Sequence, residues 1–162
     1  MPIYKAPVTD QMFVLHDVLK IAEQDVPGYD ELDRDTTQAI LDEAAKLAEN
    51  VLAPLNPVGD EQGCTLENGV VRTPEGFKDA FDQVRDGGWT ALDCDPDYGG
   101  QGLDYLSYII SVEELARIDG SQAATVAAHN SLGVGPINNF GSEEQKREYL
   151  PPLCTGNGLW GF

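Results

Sequence analysis

The sequence predicts an all-α fold of about six helices in one domain, and four observations lead to this prediction. Apolar residues recur at steps of three and four along most of the chain, a spacing that places them on one face of an α-helix. Residues suited to begin or end helices separate these stretches. Strand-like patterns are confined to a short pair around Asn68-Gly69 and to the apolar residues 159–162. The length of 162 residues is typical of a single domain.

The first predicted helix spans residues 10–24. Asp10 is its expected N-cap, and Pro27-Gly28 ends the segment, because proline cannot continue a helix and glycine favours turns. Its apolar face consists of Phe13, Val14, Val18, Leu19 and Ala22.

The second predicted helix begins near Asp35, with Thr36 as the candidate N-cap, and ends at the two prolines of residues 54–57. We expect residues 54–73 to form a loop that holds a short hairpin at Asn68-Gly69, a dipeptide typical of two-residue turns. The apolar face of this helix consists of Ile40, Leu41, Ala44, Leu47, Ala48, Val51 and Leu52.

Thr73 is the expected N-cap of a third helix, with Pro74 in the first position, where its missing N–H is not needed. Gly87-Gly88 is expected to end this helix through a left-handed residue. Its apolar face consists of Phe77, Ala80, Phe81 and Val84. We expect residues 89–92 to be buried, and the glycine-rich residues 93–102 to form an ordered turn.

The fourth predicted helix spans residues 104–118, and Asp119-Gly120 ends it. Ser121 is the expected N-cap of a fifth, alanine-rich helix. Residues Ser142–Gln145 have the pattern of a capping box and begin a sixth helix, which Pro151-Pro152 is expected to break. The residues of the fourth helix that we expect to be mostly buried are Leu106, Ile109, Ile110, Val112, Leu115 and Ala116.

The chain is strongly acidic, with 28 aspartates and glutamates against 10 lysines and arginines and a formal charge of −18. This charge argues against binding to nucleic acids or anionic membranes, since both need a basic surface. No apolar run approaches the roughly 18 residues of a membrane-spanning helix, and the first residues lack the apolar segment of a secretory signal. The wide spacing of Cys64, Cys94 and Cys154 favours reduced structural thiols in a cytoplasmic protein over a disulfide framework or a metal site.

Three polar patterns favour structural roles over catalytic ones. His129 has no accompanying nucleophile motif, so we expect it to make a structural hydrogen bond. The side chains of Glu113-Glu114 point about 100° apart on a helix, so we expect that they do not share one site. The turn Gly99–Gly102 lacks both the spacing and the following lysine of a phosphate-binding loop, and is expected to be a tight turn. The residues by themselves therefore indicate no catalytic group and no metal site.

A family resemblance emerges when the later motifs are taken in order. The segments that carry it are Tyr98–Leu103, Val112–Arg117, His129–Gly133, Phe140–Pro151 and Leu159–Phe162. From about Trp89 onwards this set resembles the N-terminal helical domain of the acyl-CoA dehydrogenase family. The preceding part resembles a larger subgroup that is similar to methylmercaptopropionyl-CoA dehydrogenases. The segments that carry this second resemblance are Tyr4–Pro7, Phe13–Leu19, Val51–Asn56 and Gly59–Cys64.

The resemblance implies that the whole enzyme is an FAD-dependent oxidoreductase. It implies dehydrogenation of an acyl-CoA thioester to a trans-2-enoyl-CoA, electron transfer to electron-transfer flavoprotein, and a dimeric or tetrameric assembly. It matches Thr125, Ala128 and Leu132 to the acyl-chain pocket, with plain helix packing as the open alternative for each of them. It matches Phe162 to the surroundings of the flavin, with an ordinary aromatic of a β-sheet core as the alternative. The glutamate base of the family belongs to its C-terminal half and is not present here, so we expect these residues alone to be inactive.

The resemblance also implies a domain plan. We predict an N-terminal extension at residues 1–34 and the helical domain at residues 35–157. Residues 158–162 are then the first residues of a middle β-domain, at which we expect the chain to be truncated. Two alternatives stay open: a non-catalytic acidic helical module that binds a basic partner, and a related flavin oxidase on the same scaffold.

Overall fold

The computed structural model describes residues 3–159, and this part of the chain is mostly helical. Its elements are α1 (Val8–Met12), α2 (Arg34–Leu47), α3 (Leu55–Gln62), β1 (Thr65–Glu67), β2 (Val70–Arg72), α4 (Phe77–Asp86), α5 (Tyr105–Ile118), α6 (Gly120–Ala128), α7 (Gly135–Phe140) and α8 (Glu143–Cys154). Six of these α-helices contain eight residues or more, so the predicted all-α fold is confirmed. Among the described residues, no helix has both the length and the apolar character needed to cross a bilayer.

Wider π-helical turns continue three of the helices. They span Phe13–Val18 after α1, Ala48–Leu52 after α2 and His129–Val134 after α6. A π-helical turn holds more residues than an α-helical turn, so side chains that follow it are displaced from the face that α-helical spacing predicts. This displacement limits what the apolar pattern of the sequence predicts about burial.

The contacts divide the chain into two compact units, Met1–Pro54 and Leu55–Phe162. In the first unit, the carboxylate of Glu49 accepts hydrogen bonds from Lys5 Nζ at 2.6 Å and from the backbone N–H of Ala6 at 3.0 Å. These two bonds hold the pKa of Glu49 below its ordinary value and fix the segment before α1. The predicted domain limits after residues 34 and 157 stay predictions.

The first predicted helix is wrong in its bounds. Helical geometry begins at Val8, so Asp10 is not the N-cap, and the helix ends before Lys20, which adopts a left-handed conformation with φ of 49°. The end therefore comes well before Pro27-Gly28. The π-helical turn displaces the predicted apolar face of this helix. Four of the five residues of that face are therefore between 44% and 58% exposed: Phe13, Val14, Val18 and Leu19.

The second unit opens with a helix that the sequence pattern did not predict. Pro57 lies in the first turn of α3, where the backbone N–H that proline lacks has no partner within the helix. The predicted hairpin is confirmed, with β1 and β2 antiparallel and with positive φ at both Asn68 and Gly69. Across the base of this hairpin, the Gln62 side chain accepts a hydrogen bond from the Glu75 N–H at 3.2 Å.

The start of α4 also differs from the prediction. Gly76 has a φ of 84° and precedes the first helical residue, so Thr73 and Pro74 lie before the helix and are not its cap and first position. The predicted apolar face is confirmed at Ala80 and Val84, both of which are buried. The left-handed exit is also confirmed, since Gly88 has a φ of 78°.

Aspartates cap three helices. Asp33 accepts from the Thr36 N–H at 2.7 Å, so the cap of α2 is Asp33 and not Thr36. Asp119 caps α6 in place of the predicted Ser121, and Asp104 caps α5. Carboxylates accept charge-assisted hydrogen bonds, which are stronger than those made by a serine or threonine hydroxyl.

Helix α5 has its predicted length but not its predicted burial. Ile109 and Ile110 are 42% and 43% exposed, and Ala116 is also exposed. Tyr108 is buried instead, at 3% exposure. The inward face of α5 therefore lies about one residue from the face that the most apolar residues predict, and Asp119 alone separates α5 from α6.

The core of the second unit forms around α8. Its buried members are Ala91, Cys94, Val134, Leu150, Leu153 and Cys154. The capping box at the start of α8 is confirmed, because Ser142 and Gln145 exchange side-chain and backbone bonds. The predicted break at Pro151-Pro152 is wrong: the helix continues to its end at Cys154, since Leu150 and Leu153 hold this last turn against the core.

Candidate functional site

Helix α6 and its π-helical continuation carry the three residues predicted to line the acyl chain. Thr125 and Leu132 are exposed, the latter by 50%, and Ala128 is half-buried. Thr125 and Ala128 are three residues apart in α6 and lie on the same side of it, whereas Leu132 lies within the π-helical turn that follows. The hydroxyl of Thr125 donates to the Ser121 carbonyl at 3.0 Å, so its hydrogen is used within the helix.

The opposite side of the same segment is buried. His129 is 1% exposed, and its Nε2 lies 3.3 Å from the Leu153 carbonyl oxygen. Because a carbonyl oxygen only accepts, Nε2 carries the proton and donates it to this bond. Burial lowers the pKa of His129, although the bond to Leu153 acts in the opposite direction. The contact agrees with the expected structural hydrogen bond.

Asn130 and Asp93 line a cavity of about 370 Å³ beside this segment. Asn130 is 4% exposed, and its Nδ2 donates to the Val126 carbonyl at 2.9 Å. Burial raises the pKa of the Asp93 carboxyl. Tyr108, also in the wall, has a pKa raised by burial and donates its hydroxyl to the Ala127 carbonyl at 3.4 Å. The walls of this cavity do not include the three predicted acyl-chain residues.

The paired glutamates of α5 meet at one arginine. Arg117 Nη2 lies 3.4 Å from Glu113 Oε1, and Arg117 Nε lies 3.0 Å from Glu114 Oε1. An arginine three and four residues further on reaches both side chains, and the expectation that the two carboxylates do not form an acid–base site stays a prediction. Their pairing with a cation is that of a structural ion pair and not of an acid and base.

The glycine turn uses its own backbone donors. The N–H groups of Gly100, Gln101 and Gly102 donate to the carbonyls of Asp95, Ala91 and Cys94 at 3.2, 3.0 and 2.9 Å. A Cβ on Gly100 would lie 2.1 Å from the Cys94 oxygen, so this position requires glycine. The tight turn is confirmed, and it leaves these three donors unavailable to a phosphate group.

The structure also brings together two cysteines that the sequence pattern left apart. The Sγ atoms of Cys94 and Cys154 lie 3.0 Å from each other, although 60 residues separate them in the chain. Their sequence neighbours offer no sign of this contact. Within residues 3–159, no group of three potential ligands from histidine, cysteine, aspartate and glutamate could hold a metal ion.

This helical fold, with a small-residue face on α6, matches a known class of domain. Residues 34–157 match the family described as acyl-CoA dehydrogenase, N-terminal domain. The chain therefore belongs to the acyl-CoA dehydrogenase family.

Individual relatives agree with this membership. The chain is 34% identical to 3-methylmercaptopropionyl-CoA dehydrogenase of Ruegeria pomeroyi over 154 aligned residues. This alignment covers 94% of this chain and 26% of that protein. It is 41% identical to the human mitochondrial short-chain specific acyl-CoA dehydrogenase over 75 aligned residues. This alignment covers 46% of this chain and 18% of that relative. The chain thus spans about a quarter or less of the length of these curated relatives.

Two solved structures resemble the fold. One is butyryl-CoA dehydrogenase from Megasphaera elsdenii, with 35% identity and a TM-score of 0.59 over 75% of this chain and 30% of that one. The other comes from work on the electron transferring flavoprotein of Acidaminococcus fermentans, with 36% identity and a TM-score of 0.62 over 75% of this chain and 29% of that one.

Proposed function

We propose that this chain is the N-terminal helical part of an FAD-dependent acyl-CoA dehydrogenase. The enzyme converts an acyl-CoA thioester to a trans-2-enoyl-CoA, works as a homo-oligomer in the cytoplasm and passes its electrons to electron-transfer flavoprotein. The observation that carries the proposal is the match over residues 34–157, and the relatives named as acyl-CoA dehydrogenases support it. The catalytic glutamate belongs to a part of the enzyme outside these residues.

The described residues do not form a flavin cradle by themselves. The backbone donors of the glycine turn are bonded internally, and Phe162, the residue expected beside the flavin, lies outside the described residues. The main contacts of FAD are therefore proposed to come from other parts of the enzyme.

The role proposed for these residues is to bound the acyl chain. Ala128 is half-buried on the side of α6 that carries Thr125, and its single methyl group adds little bulk to that side. Thr125 uses its hydroxyl hydrogen within the helix, so its methyl group is available for apolar contact. An apolar wall of this kind binds an acyl tail through burial of its methylene groups and excludes water from it.

The substitution Ala128→Phe in the full-length enzyme tests this role. The added ring fills space along the wall, so we expect kcat/KM to shift by about tenfold or more towards shorter acyl-CoAs, since each buried methylene contributes about 0.8 kcal/mol. Ala116→Phe is the matched control, because Ala116 is an exposed alanine on α5. An Ala128→Phe enzyme with the chain-length profile of the wild type would contradict the assignment.

The activity itself is tested on the purified full-length protein. We expect enoyl-CoA to form from acyl-CoA with electron-transfer flavoprotein as the electron acceptor. Enoyl-CoA formation that consumes oxygen and ignores this acceptor would favour the flavin oxidase. The absence of bound flavin and of any turnover would favour the non-catalytic module.

A further inference from the structure

Cys94 and Cys154 form a buried thiol pair in the core of the second unit. Cys94 is 1% exposed and Cys154 is 3% exposed. The S–H of Cys154 donates to Cys94 Sγ across 3.0 Å, and no disulfide joins the two. A disulfide bond has an S–S distance of about 2.05 Å, so the two sulfur atoms need to approach by only about 1 Å to bond.

The surrounding structure holds the two sulfur atoms together. The hydroxyl of Thr90 donates to the Cys154 carbonyl at 3.0 Å and ties the end of α8 to the segment before Cys94. On the other side, the backbone of Gly100 packs directly against Cys94. Both cysteines also belong to the same apolar cluster. The proximity of the thiols is thus a property of the packed core and not of two mobile side chains.

The contact gives the two thiols different acidities. The hydrogen bond from Cys154 lowers the pKa of Cys94, although burial acts in the opposite direction. For Cys154, both the same bond and burial raise the pKa. Cys94 is therefore the sulfur that ionises first, and a thiolate is the form that attacks an oxidant.

We propose that Cys94 and Cys154 are a redox-active pair that forms an intramolecular disulfide when the protein meets a small peroxide. The Cys94 thiolate attacks one oxygen of hydrogen peroxide, the O–O bond breaks, and hydroxide leaves to become water with the proton that Cys94 lost. The Cys154 sulfur then attacks the sulfur of the resulting sulfenic acid, so the S–S bond forms as the S–O bond breaks. The leaving hydroxide takes the proton of the Cys154 thiol and becomes a second water. Two thiols and one peroxide thus give one disulfide and two waters.

The position of Cys154 explains how a small oxidant reaches a buried pair. Cys154 is the last residue of α8, and Thr155 beyond it is exposed. Helix ends open locally at a lower free energy than helix interiors. Transient opening of the backbone just beyond Cys154, where Thr155 is exposed, admits a molecule of the size of hydrogen peroxide.

The disulfide would close a loop that contains α5, α6, α7 and all of α8. Cross-linking residues this far apart restricts the unfolded chain, so we expect the unfolding equilibrium constant to fall by about a thousandfold in the oxidised protein. The pair thereby couples the oxidation state of the surroundings to the stability of this unit.

Peptide mapping of the full chain tests the proposal. The chain is treated with dithiothreitol or with hydrogen peroxide, digested with trypsin under non-reducing conditions and analysed by mass spectrometry. Cleavage after Arg117 and Arg147 places the two cysteines in different peptides. We expect peroxide to yield a linked peptide pair that lacks the mass of two hydrogen atoms and separates again in dithiothreitol.

Two variants sharpen the result. Cys64→Ser removes the exposed third cysteine and should leave the link and the stabilisation unchanged. Cys154→Ser should abolish both. The proposal is overturned if Cys94 and Cys154 remain free to alkylation in the unfolded protein after peroxide treatment, or if peroxide links either of them to Cys64 instead. Mapping of the wild type and of Cys64→Ser decides the matter even if Cys154→Ser fails to fold.

Discussion

Asp119 connects α5 to α6 and receives a dense set of hydrogen bonds. It is 6% exposed. Its carboxylate accepts from the N–H and the hydroxyl of Ser121 at 2.8 and 2.6 Å, and from the N–H and the Nε2 of Gln122 at 3.3 and 3.2 Å. Burial acts to raise the pKa of Asp119, but these hydrogen bonds together hold it below its ordinary value.

The substitution Asp119→Ala removes all four bonds and leaves donors at the start of α6 without their acceptor. Loss of an N-cap costs about 0.5–2 kcal/mol, and an unsatisfied buried donor costs about 1–3 kcal/mol. Since the two effects overlap, we expect the free energy of unfolding to fall by about 2–3 kcal/mol. Asp119→Asn keeps a capping oxygen but loses the charge, so its expected cost is about 1 kcal/mol, the difference between hydrogen bonds to a charged and to a neutral group.

The pH dependence of this contribution has a definite sign. A carboxyl whose pKa is lower in the folded state stabilises the protein above the pKa of the unfolded state, and this stabilisation disappears as the pH falls through the folded pKa. The difference in unfolding free energy between the wild type and Asp119→Asn should therefore be constant near neutral pH. It should shrink below about pH 4, the ordinary value for aspartate.

Urea denaturation followed by far-ultraviolet circular dichroism measures these differences. The matched control is Asp104→Ala, since Asp104 caps α5 through an exposed pair of bonds to the N–H and hydroxyl of Ser107 at 3.0 and 2.7 Å. Its expected cost is about 0.5–1 kcal/mol. Equal costs for Asp104→Ala and Asp119→Ala would refute the argument that burial of the cap sets the magnitude.

Two further stability predictions follow from the core. Leu150 is fully buried, so Leu150→Ala should lower the free energy of unfolding by about 2–5 kcal/mol in urea denaturation, and a cost below about 1 kcal/mol would contradict the assigned core. Gly100→Ala should lower the melting temperature, because its Cβ would meet the Cys94 oxygen at 2.1 Å. A Cβ on Gly158 would have no atom within 4 Å, so Gly158→Ala should leave the melting temperature unchanged. Equal effects of the two substitutions would contradict the close packing at Gly100.

Local chemistry made part of the fold predictable. The Asn68-Gly69 hairpin, the capping box at Ser142 and the left-handed exit at Gly88 each depend on a few adjacent residues, and all three are confirmed. The buried face of α4 was also predictable, because Ala80 and Val84 lie on one side of a regular α-helix. These features can be predicted without knowing which residues pack against them.

The remaining features depend on distant contacts. The π-helical turn at Phe13–Val18 displaces the apolar face that α-helical spacing predicts, and the residue types in this segment do not indicate such a turn. Burial of Leu150 and Leu153 keeps α8 helical through prolines that local rules place at its end. In the candidate site, Thr125, Ala128 and Leu132 were identified only through a family resemblance, and their acyl-chain role stays a prediction.

The β1–β2 hairpin is exposed, and a hydrogen bond joins the residues on either side of it. All six of its strand residues are exposed, and the Gln62–Glu75 bond joins the chain before it to the chain after it. A segment whose two ends are already held together contributes little to the packing elsewhere, and its tip tolerates extra residues. The turn at Asn68-Gly69 is therefore a natural insertion point for a fluorophore-binding tag or an epitope. A label there would report on the second unit without disturbing α6 or the buried thiols.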